Sequence, residues 1–237
     1  IEYLYHIDDI EYKKNLELLN EKSLQTIINE KNTKICLAAD VNTMNELCDL
    51  IEKVGDDICV LKIHSDIIND FYLNYEKNVL KLLNLKQKYN FKIWEDRKFA
   101  DIGSVMLRQI SLLTNWVDIV SIHPISGSLG IENIKNMELI IIAEMSTKDH
   151  LMNEEYQKKV IEIAEKNNVL GIVSQHKLSD TLLHFVPGIS LNKKDDSINQ
   201  TYNSPESKDF ADVYVIGRSI YLASNPKEEI MKYKNLC

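Results

Sequence analysis

The stretch KICLAADV, residues 34–41, shows the pattern that decides the fold. Five apolar residues in succession end at Asp40. A short, continuous apolar run suits a strand of a parallel sheet, because such a strand is buried on both faces. Seven further runs of this kind follow, at residues 57–64, 91–96, 117–123, 138–146, 169–175, 183–189 and 211–219. The sequence therefore predicts eight parallel strands.

Segments long enough for helices lie between these runs. Residues 42–55 and 153–167 place apolar side chains at helical spacing, with Lys and Glu on the opposite face. Eight strand–helix units in 237 residues are typical of an α/β protein of the (β/α)8 TIM-barrel class. A doubly wound open sheet is the alternative, but it gives no reason for eight units. We expect residues 1–237 to form a single barrel domain.

The first 33 residues precede the first strand, and we expect them to form a helical extension of the barrel. Its predicted buried stripe consists of Leu16, Leu19, Leu24, Ile27 and Ile28. The chain starts at Ile1 instead of Met, which we interpret as a processed or trimmed start. No linker or low-complexity tract divides the sequence.

Composition narrows the classes of function. The formal net charge of -8 argues against a general nucleic-acid or anionic-membrane surface. No apolar window approaches the roughly 20 residues that cross a bilayer, and the start lacks a signal-peptide pattern. The four cysteines show no CxxC spacing, which indicates reduced thiols and argues against zinc. We therefore expect a cytoplasmic protein without a nucleic-acid or membrane partner.

Reactive side chains stand where the predicted strands end, which is where catalytic groups lie in a barrel. They are Asp40, Lys62, Asp96, Lys98, His123, Ser146 and Arg218, and Gly188 stands at the corresponding end of the seventh strand. Taken singly, such a residue is more often a solvated loop residue or a helix cap. Lys62 is harder to explain in that way, because its neighbours are apolar and an unpaired buried ammonium is costly. We expect a partner carboxylate from Asp40, Asp96 or Asp101.

Two further segments are rich in polar and charged groups. The segment WEDRKFADIG, residues 94–103, places Asp96, Lys98 and Asp101 within six positions, as a solvated turn or a charged active site would. The segment VIGRSI, residues 215–220, puts Gly217 and Arg218 where barrels commonly bind phosphate. The alternative there is a turn glycine beside a surface arginine.

A long polar loop, residues 187–205, follows the seventh predicted strand. Loops of this length in compact domains are often lids, although a merely floppy loop would have the same composition. Gln200 and Tyr202 lie near its end and could reach a phosphate if the loop closed.

Seven segments together resemble, in order, the motifs of the orotidine 5'-monophosphate decarboxylase family in its eukaryotic form. They are KICLAADV, DICVLKIHSDII, WEDRKFADIG, IAEMS, FVPGI, QTYNSP and VIGRSI, and they extend over nearly the whole chain. That form often occurs fused behind an orotate phosphoribosyltransferase, and a start at Ile1 is compatible with such a fusion.

The resemblance implies decarboxylation of orotidine 5'-monophosphate to uridine 5'-monophosphate, the last step of de novo pyrimidine synthesis, with no metal or organic cofactor. It implies that Lys98 donates a proton to C6 of the pyrimidine, that Asp96 and Asp101 flank it, and that Lys62 completes the charged group. Asp101 is expected to reach the active site of the other subunit of a homodimer. The implied substrate-binding residues are Asp40 and Lys62 at the ribose, Ser146 at the pyrimidine amide, Gln200, Tyr202 and Arg218 at the phosphate, and Pro187 and Gly217.

Two positions depart from the family pattern. Val105 replaces a Thr that would hydrogen-bond a ribose hydroxyl across the dimer, so that contact is lost. The segment SIHPISGSLG, residues 121–130, differs from the family's sequence after the fourth strand, which leaves the contacts of His123 open.

Three rival functions are weighed against this one. A magnesium-dependent sugar-phosphate decarboxylase or aldolase of the same superfamily shares the Asp-x-Lys-x-x-Asp arrangement, but Ser146, Gln200 and Tyr202 favour a nucleotide. A non-catalytic barrel that serves as a binding module would retain costly pocket charges without using them. A structural α/β protein with solvated charge clusters does not explain why reactive groups follow so many strands.

Overall fold

A closed barrel of eight parallel strands forms the centre of the molecule, in the order β1 to β8. The computed structural model describes residues 22–135, 137–191 and 200–237. Each strand pairs with the next in the chain, and β8 pairs with β1. The predicted eight-stranded barrel is confirmed. The strands are β1 (Ile35–Ala38), β2 (Val60–Ile63), β3 (Lys92–Phe99), β4 (Ile119–Ile122), β5 (Glu138–Ile142), β6 (Gly171–Val173), β7 (Leu183–Pro187) and β8 (Val213–Ile216).

Seven described α-helices accompany the strands. They are α1 (Leu24–Lys31), α2 (Met44–Val54), α3 (Tyr75–Tyr89), α4 (Gly103–Ser111), α5 (Glu154–Lys166), α6 (Arg218–Tyr221) and α7 (Pro226–Lys234). The helices predicted within residues 42–55 and 153–167 are α2 and α5. A capping box starts α2, because the Thr43 side chain accepts from the Glu46 N–H and the Glu46 carboxylate accepts from the Thr43 N–H.

A helix does not follow every strand. The 3-10 turns Pro124–Ser126 and Ile131–Asn133 follow β4, and residues 174–182, all described, contain no helix between β6 and β7. None of the helices in the described ranges is long and apolar enough to cross a membrane.

Side chains alternate between two apolar clusters along each strand. On β1, Ile35 and Leu37 belong to the outer cluster that includes the surrounding helices, whereas Cys36 and Ala38 belong to the cluster inside the barrel. Inside, the rings of Trp94 and Phe185 meet edge to face with centroids 5.6 Å apart. The barrel interior is therefore a packed core and not a pore.

Helix α1 covers one end of this interior. Its buried residues Leu24, Ile27 and Ile28 join the inner cluster, which confirms that part of the predicted stripe. The other two predicted members, Leu16 and Leu19, lie outside the described residues. The Lys31 ammonium fastens the end of the helix, since its three N–H groups share four backbone carbonyl oxygens within 3.1 Å, those of Gly55, Ile58, Tyr89 and Asn90.

Polar groups replace the apolar ones toward the carboxyl ends of the strands. Along the inward-facing positions, Val60 is followed by Lys62, Trp94 by Asp96 and Ile119 by Ser121. The strand pairing places Lys62 beside Trp94 and Ala38. The alternation of the strands thus aims a group of charged side chains into the open end of the barrel.

Candidate active site

A cleft of about 790 Å³, including the part open to solvent, occupies the carboxyl end of the barrel. Apolar side chains such as Trp94, Ile142 and Val215 form part of its wall. The structure brings ten of the eleven predicted site residues to this cleft, namely Asp40, Lys62, Asp96, Lys98, Ser146, Pro187, Gln200, Tyr202, Gly217 and Arg218. Asp101 is the exception, and of the two other strand-end residues named above Gly188 lines the cleft and His123 does not.

One carboxylate organises the charged end of the cleft. Asp96 Oδ2 lies 2.7 Å from Lys98 Nζ and 3.0 Å from Lys62 Nζ. The Ser121 hydroxyl donates to Asp96 Oδ1 at 2.5 Å. Asp40 Oδ1 lies 3.8 Å from Lys62 Nζ, so two of the three candidate carboxylates flank this lysine. The four charged groups form an alternating chain in which Asp96 holds two ammonium groups.

The charges stabilise each other against the cost of burial. Burial opposes ionisation of Asp96, but Lys62 and Lys98 outweigh it and hold the pKa of that carboxyl well below its usual range. Burial likewise acts to lower the pKa of Lys62, yet Asp96 and Asp40 raise it above its usual value. Lys62 and Asp96 are therefore both charged at neutral pH.

The backbone at Lys98 adopts an uncommon conformation. Its φ is +53°, in the left-handed region that a residue with a side chain seldom occupies. The pairing of β3 with β4 shifts register between Glu95 and Phe99, and the Lys98 N–H donates to Ser121 Oγ at 3.2 Å. Conformations of this kind persist where surrounding contacts determine them, and they are concentrated at functional sites.

Two members of this group were missed by the sequence predictions. His64 Nε2 lies 3.2 Å from Lys62 Nζ and 3.6 Å from Asp96 Oδ2. Burial and the charge of Lys62 lower the pKa of His64 to about 4, so the ring is neutral and accepts from the ammonium. Ser121 is the other. Their signals were His64 two positions beyond Lys62, on the same strand face, and a lone hydroxyl within the apolar run of β4.

His64, Asp66 and Glu95 are the one group of three potential metal-ligating side chains that the described ranges contain. Two cationic side chains already contact this group. Arg97 Nε lies 3.6 Å from Asp66 Oδ2, and Lys62 contacts His64. Such neighbours oppose the binding of a further positive charge. We therefore do not assign His64, Asp66 and Glu95 as a metal site.

Glu95 is fully buried behind the charged chain, on the outer side of β3. Its Oε2 accepts from the Ser65 N–H at 3.0 Å, and Oε1 finds no partner among the described residues. Burial raises the pKa of Glu95 from 4.5 to about 7. The native state therefore holds this proton more tightly than the unfolded chain does.

Because the pKa of Glu95 is raised in the native state, we expect the free energy of unfolding to depend on pH. The contribution of Glu95 is complete below pH 4.5 and is lost as pH rises through about 7, because the unfolded chain binds fewer protons in that window. At about 1.4 kcal/mol per pH unit the loss amounts to roughly 3 kcal/mol. Glu95→Gln should therefore raise the free energy of unfolding at pH 8 and leave it nearly unchanged at pH 4.5, as measured by urea denaturation. An equal effect at both pH values would contradict the prediction.

The wall opposite the charged chain contains Ser146, which follows β5. Its side chain is buried, and Oγ accepts from Gln200 Nε2 at 3.3 Å. Its carbonyl accepts from the Thr201 N–H at 2.7 Å. Gly188 allows this approach, since its φ is +75° and a Cβ there would lie 2.5 Å from the Thr201 carbonyl oxygen.

Three side chains that were predicted to act on one anion lie together at the far end of the cleft. The Arg218 guanidinium donates to Gln200 Oε1, and the Tyr202 hydroxyl donates to the same oxygen at 3.3 Å. Arg218 also lies over the Tyr202 ring, 5.6 Å from its centroid. Residues 192–199 of the predicted lid lie outside the described residues, so closure of that loop stays a prediction.

Asp101 lies at the surface, outside the lining of the cleft. Its Oδ1 accepts from the N–H of Ile102 at 2.7 Å. Exposed apolar side chains surround this part of the chain, Ile102 directly after it and Ile125 and Leu129 in the loop after β4. That loop packs closely on the start of α4, since a Cβ on Gly103 would lie 2.7 Å from Gly130 Cα.

Comparisons with known proteins place the chain among pyrimidine enzymes. Residues 33–233 match the model of the "Orotidine 5'-phosphate decarboxylase / HUMPS family". The orotidine 5'-phosphate decarboxylase of Saccharomycopsis fibuligera is 35% identical over 237 residues, covering 90% of this chain and 89% of the relative. The uridine 5'-monophosphate synthase of Bos taurus is 33% identical, covering 89% of this chain and 47% of that protein, so the chain spans about half its length.

A solved structure supports the fold. The orotidine 5'-monophosphate decarboxylase of Methanocaldococcus jannaschii, complexed with the inhibitor BMP, superimposes with a TM-score of 0.69 at 23% identity. The likeness covers 86% of this chain and 98% of that one. At 23% identity this structural likeness shows the fold alone, and membership of the family follows from the matching family model and the sequence relatives. The chain belongs to the orotidine 5'-phosphate decarboxylase / HUMPS family.

Proposed function

We propose that the protein catalyses the decarboxylation of orotidine 5'-monophosphate to uridine 5'-monophosphate, the last step of de novo pyrimidine synthesis. The observation that carries the proposal is the Lys98 ammonium, which Asp96 holds at 2.7 Å in a cleft lined by all the predicted phosphate-binding residues. The decarboxylases that are a third identical over most of the chain support the same reaction.

The reaction requires stabilisation of negative charge on one ring carbon. The bond between C6 and the carboxylate breaks, carbon dioxide leaves and the electron pair stays at C6. Lys98 stabilises that pair electrostatically and then transfers one proton from Nζ to C6. Asp96 orients Lys98, while Lys62 keeps Asp96 ionised. The site supplies a fixed ammonium where a cofactor would otherwise have to delocalise the charge.

The remaining residues bind the parts of the substrate that do not react. In this proposal, Asp40 and Lys62 bind the ribose and Ser146 hydrogen-bonds the pyrimidine amide, with Pro187 against the base. Gln200, Tyr202 and Arg218 bind the phosphate, beside the backbone of Gly217. Contacts to the phosphate supply binding energy that offsets the cost of bringing the reacting groups together.

The magnesium-dependent alternative fits the charged chain less well. A metal on Asp96 would compete with two ammonium groups, because Lys62 and Lys98 both contact its Oδ2. The purified chain should therefore turn over orotidine 5'-monophosphate equally well with excess magnesium and with excess chelator. Activity that disappears in chelator and returns with magnesium would favour the alternative.

We include a homodimer with shared active sites in the proposal. Asp101 belongs to the charged motif but lies outside the cleft of its own chain, on a surface with exposed Ile102, Ile125 and Leu129. A symmetric dimer through this surface would bring each Asp101 to the partner's cleft. A single barrel domain with residues 1–33 as an extension, cytoplasmic localisation and fusion to an orotate phosphoribosyltransferase also stay predictions.

Arg218→Ala should lower kcat/KM for orotidine 5'-monophosphate by about two to four powers of ten, because a charge-assisted contact with the phosphate is lost. Orotidine, which lacks the phosphate, should be nearly indifferent to the same substitution. Steady-state kinetics on both substrates provides the measurement, and Lys159→Ala, which removes an exposed lysine on α5, is the control. An equal loss for both substrates would show that Arg218 has another role.

A further inference from the structure

Gln175 lies two positions after the end of β6 and is buried beside the cleft without lining it. Its backbone is held on both sides. The Gln175 N–H donates to Glu144 Oε2 at 2.6 Å, and its carbonyl accepts from Lys208 Nζ at 2.6 Å. Glu144 precedes Ser146 by two residues, so this contact ties Gln175 to the segment that carries the predicted base-binding serine.

The side-chain amide of Gln175 connects two other segments. Its Nε2 donates to the Pro187 carbonyl at 3.0 Å, and its Oε1 accepts from Asn203 Nδ2 at 3.1 Å. Pro187 ends β7 and lines the cleft, whereas Asn203 immediately follows Tyr202. One amide therefore bridges the wall on the base side and the end of the segment that carries Gln200 and Tyr202.

The backbone of Asn203 also binds the residues that follow β7. Its N–H donates to the Gly188 carbonyl at 2.8 Å, and its carbonyl accepts from the Ser190 N–H at 2.9 Å. Residues 200–203 are thus fixed to the residues after β7 through both main chain and side chain. A displacement at Gln200 or Tyr202 has a short, hydrogen-bonded route to Pro187.

We propose that Gln175 is a positioning residue that couples phosphate binding to the base-binding wall of the cleft. The inference rests on the proposed function, which supplies a substrate with a phosphate at one end and the reacting base at the other. Binding energy from a remote group raises the rate only if the enzyme transmits it to the reacting centre. The amide of Gln175 transmits the phosphate-binding energy by holding Asn203 and Pro187 in one arrangement. Its loss would leave a donor on Asn203 and an acceptor on Pro187 without this partner.

Gln175→Met tests the coupling, because it keeps the length of the side chain and removes both side-chain hydrogen bonds. The variant should lower kcat/KM for orotidine 5'-monophosphate about 10- to 100-fold, the range expected for two lost buried hydrogen bonds. In an Arg218→Ala background, where the phosphate contact is already lost, the same change should cost less than about threefold. The same factor in both backgrounds would overturn the inference.

Two further variants separate coupling from a merely structural role. His176→Ala is the matched control, since His176 also contacts Glu144 but touches neither Pro187 nor Asn203 in the described hydrogen bonds, and it should stay within about twofold of wild type. Asn203→Ala removes one of the bridged groups from the other side and should show the same dependence on Arg218. It decides the question if Gln175→Met does not fold.

A binding measurement distinguishes failure of this inference from failure of the proposed function. By calorimetry, Gln175→Met should weaken uridine 5'-monophosphate at least about tenfold more than it weakens uridine, which lacks the phosphate. Absence of wild-type decarboxylation would refute the proposed function, while this difference would still decide the coupling. If Gln175→Met weakened uridine 5'-monophosphate and uridine equally, the proposed coupling would be overturned.

Discussion

Lys98→Ala is expected to reduce decarboxylation by at least about four powers of ten while leaving a folded chain that binds uridine 5'-monophosphate. The loss is large because one ammonium both stabilises the charge at C6 and donates the proton. The fold should survive, since Asp96 keeps Lys62 at 3.0 Å and the Ser121 hydroxyl at 2.5 Å. Single-turnover kinetics and calorimetry measure the two properties separately.

Two variants serve as controls for this experiment. Lys159→Ala removes an exposed lysine on α5 and should leave the rate unchanged. Lys98→Gly should be as inactive as Lys98→Ala but no less stable, because glycine accepts the positive φ of this position without strain. Substantial turnover by either Lys98 variant would refute the assignment of the proton donor.

Mixed dimers of Lys98→Ala and Asp101→Ala chains should regain activity, although each homodimer should be almost inactive. If Asp101 serves the partner's cleft, one site of a mixed dimer carries both substitutions and the other carries neither. After the two variants are unfolded, mixed equally and refolded, about half of the dimers should be mixed. The sample should therefore recover about a quarter of wild-type activity when the sites act independently.

A site formed within one chain predicts a different result for the mixed sample. If Lys98 and Asp101 act in the cleft of the same chain, every site keeps one substitution and no activity returns. Mixing is verified independently by giving the two chains different masses and recording the dimers by native mass spectrometry. A verified mixed sample without recovery would exclude the shared site, and a chain that remains monomeric would exclude it as well.

The strands and the polar residues that end them could be predicted because both depend on local sequence. A run such as residues 34–41 is apolar on both faces only if the strand is buried on both, and the periodicity of two then places Lys62 and Asp96 inside the barrel. The barrel rule places their ends at one opening. This rule accounts for the strand-end residues of the cleft, Asp40, Lys62, Asp96, Lys98, Ser146 and Arg218. The roles of Pro187, Gln200 and Tyr202 were implied instead by the family resemblance.

Other features depend on contacts between distant segments, which sequence spacing does not determine. Ser121 meets Asp96 because β3 pairs with β4 in a register that sets Glu95 beside Val120, and the register shift that follows brings the Lys98 N–H to the same hydroxyl. Gln175 has no distinctive neighbours in the chain, and its partners Glu144, Pro187 and Asn203 come from three other segments. The missing helix after β4 is a further example, because two turns replace it in a segment whose composition suits either.

A single turnover of orotidine 5'-monophosphate in D2O, with the wild-type chain in excess, tests both the reaction and the role of Lys98 as proton donor. We expect one equivalent of carbon dioxide and one of uridine 5'-monophosphate that carries deuterium at C6, because the exchangeable Lys98 ammonium delivers that atom. Mass spectrometry and NMR identify the product and the labelled position. A folded chain that binds the nucleotide but releases no carbon dioxide would show that the protein is not this decarboxylase, and a product without deuterium at C6 would show that Lys98 does not deliver the proton.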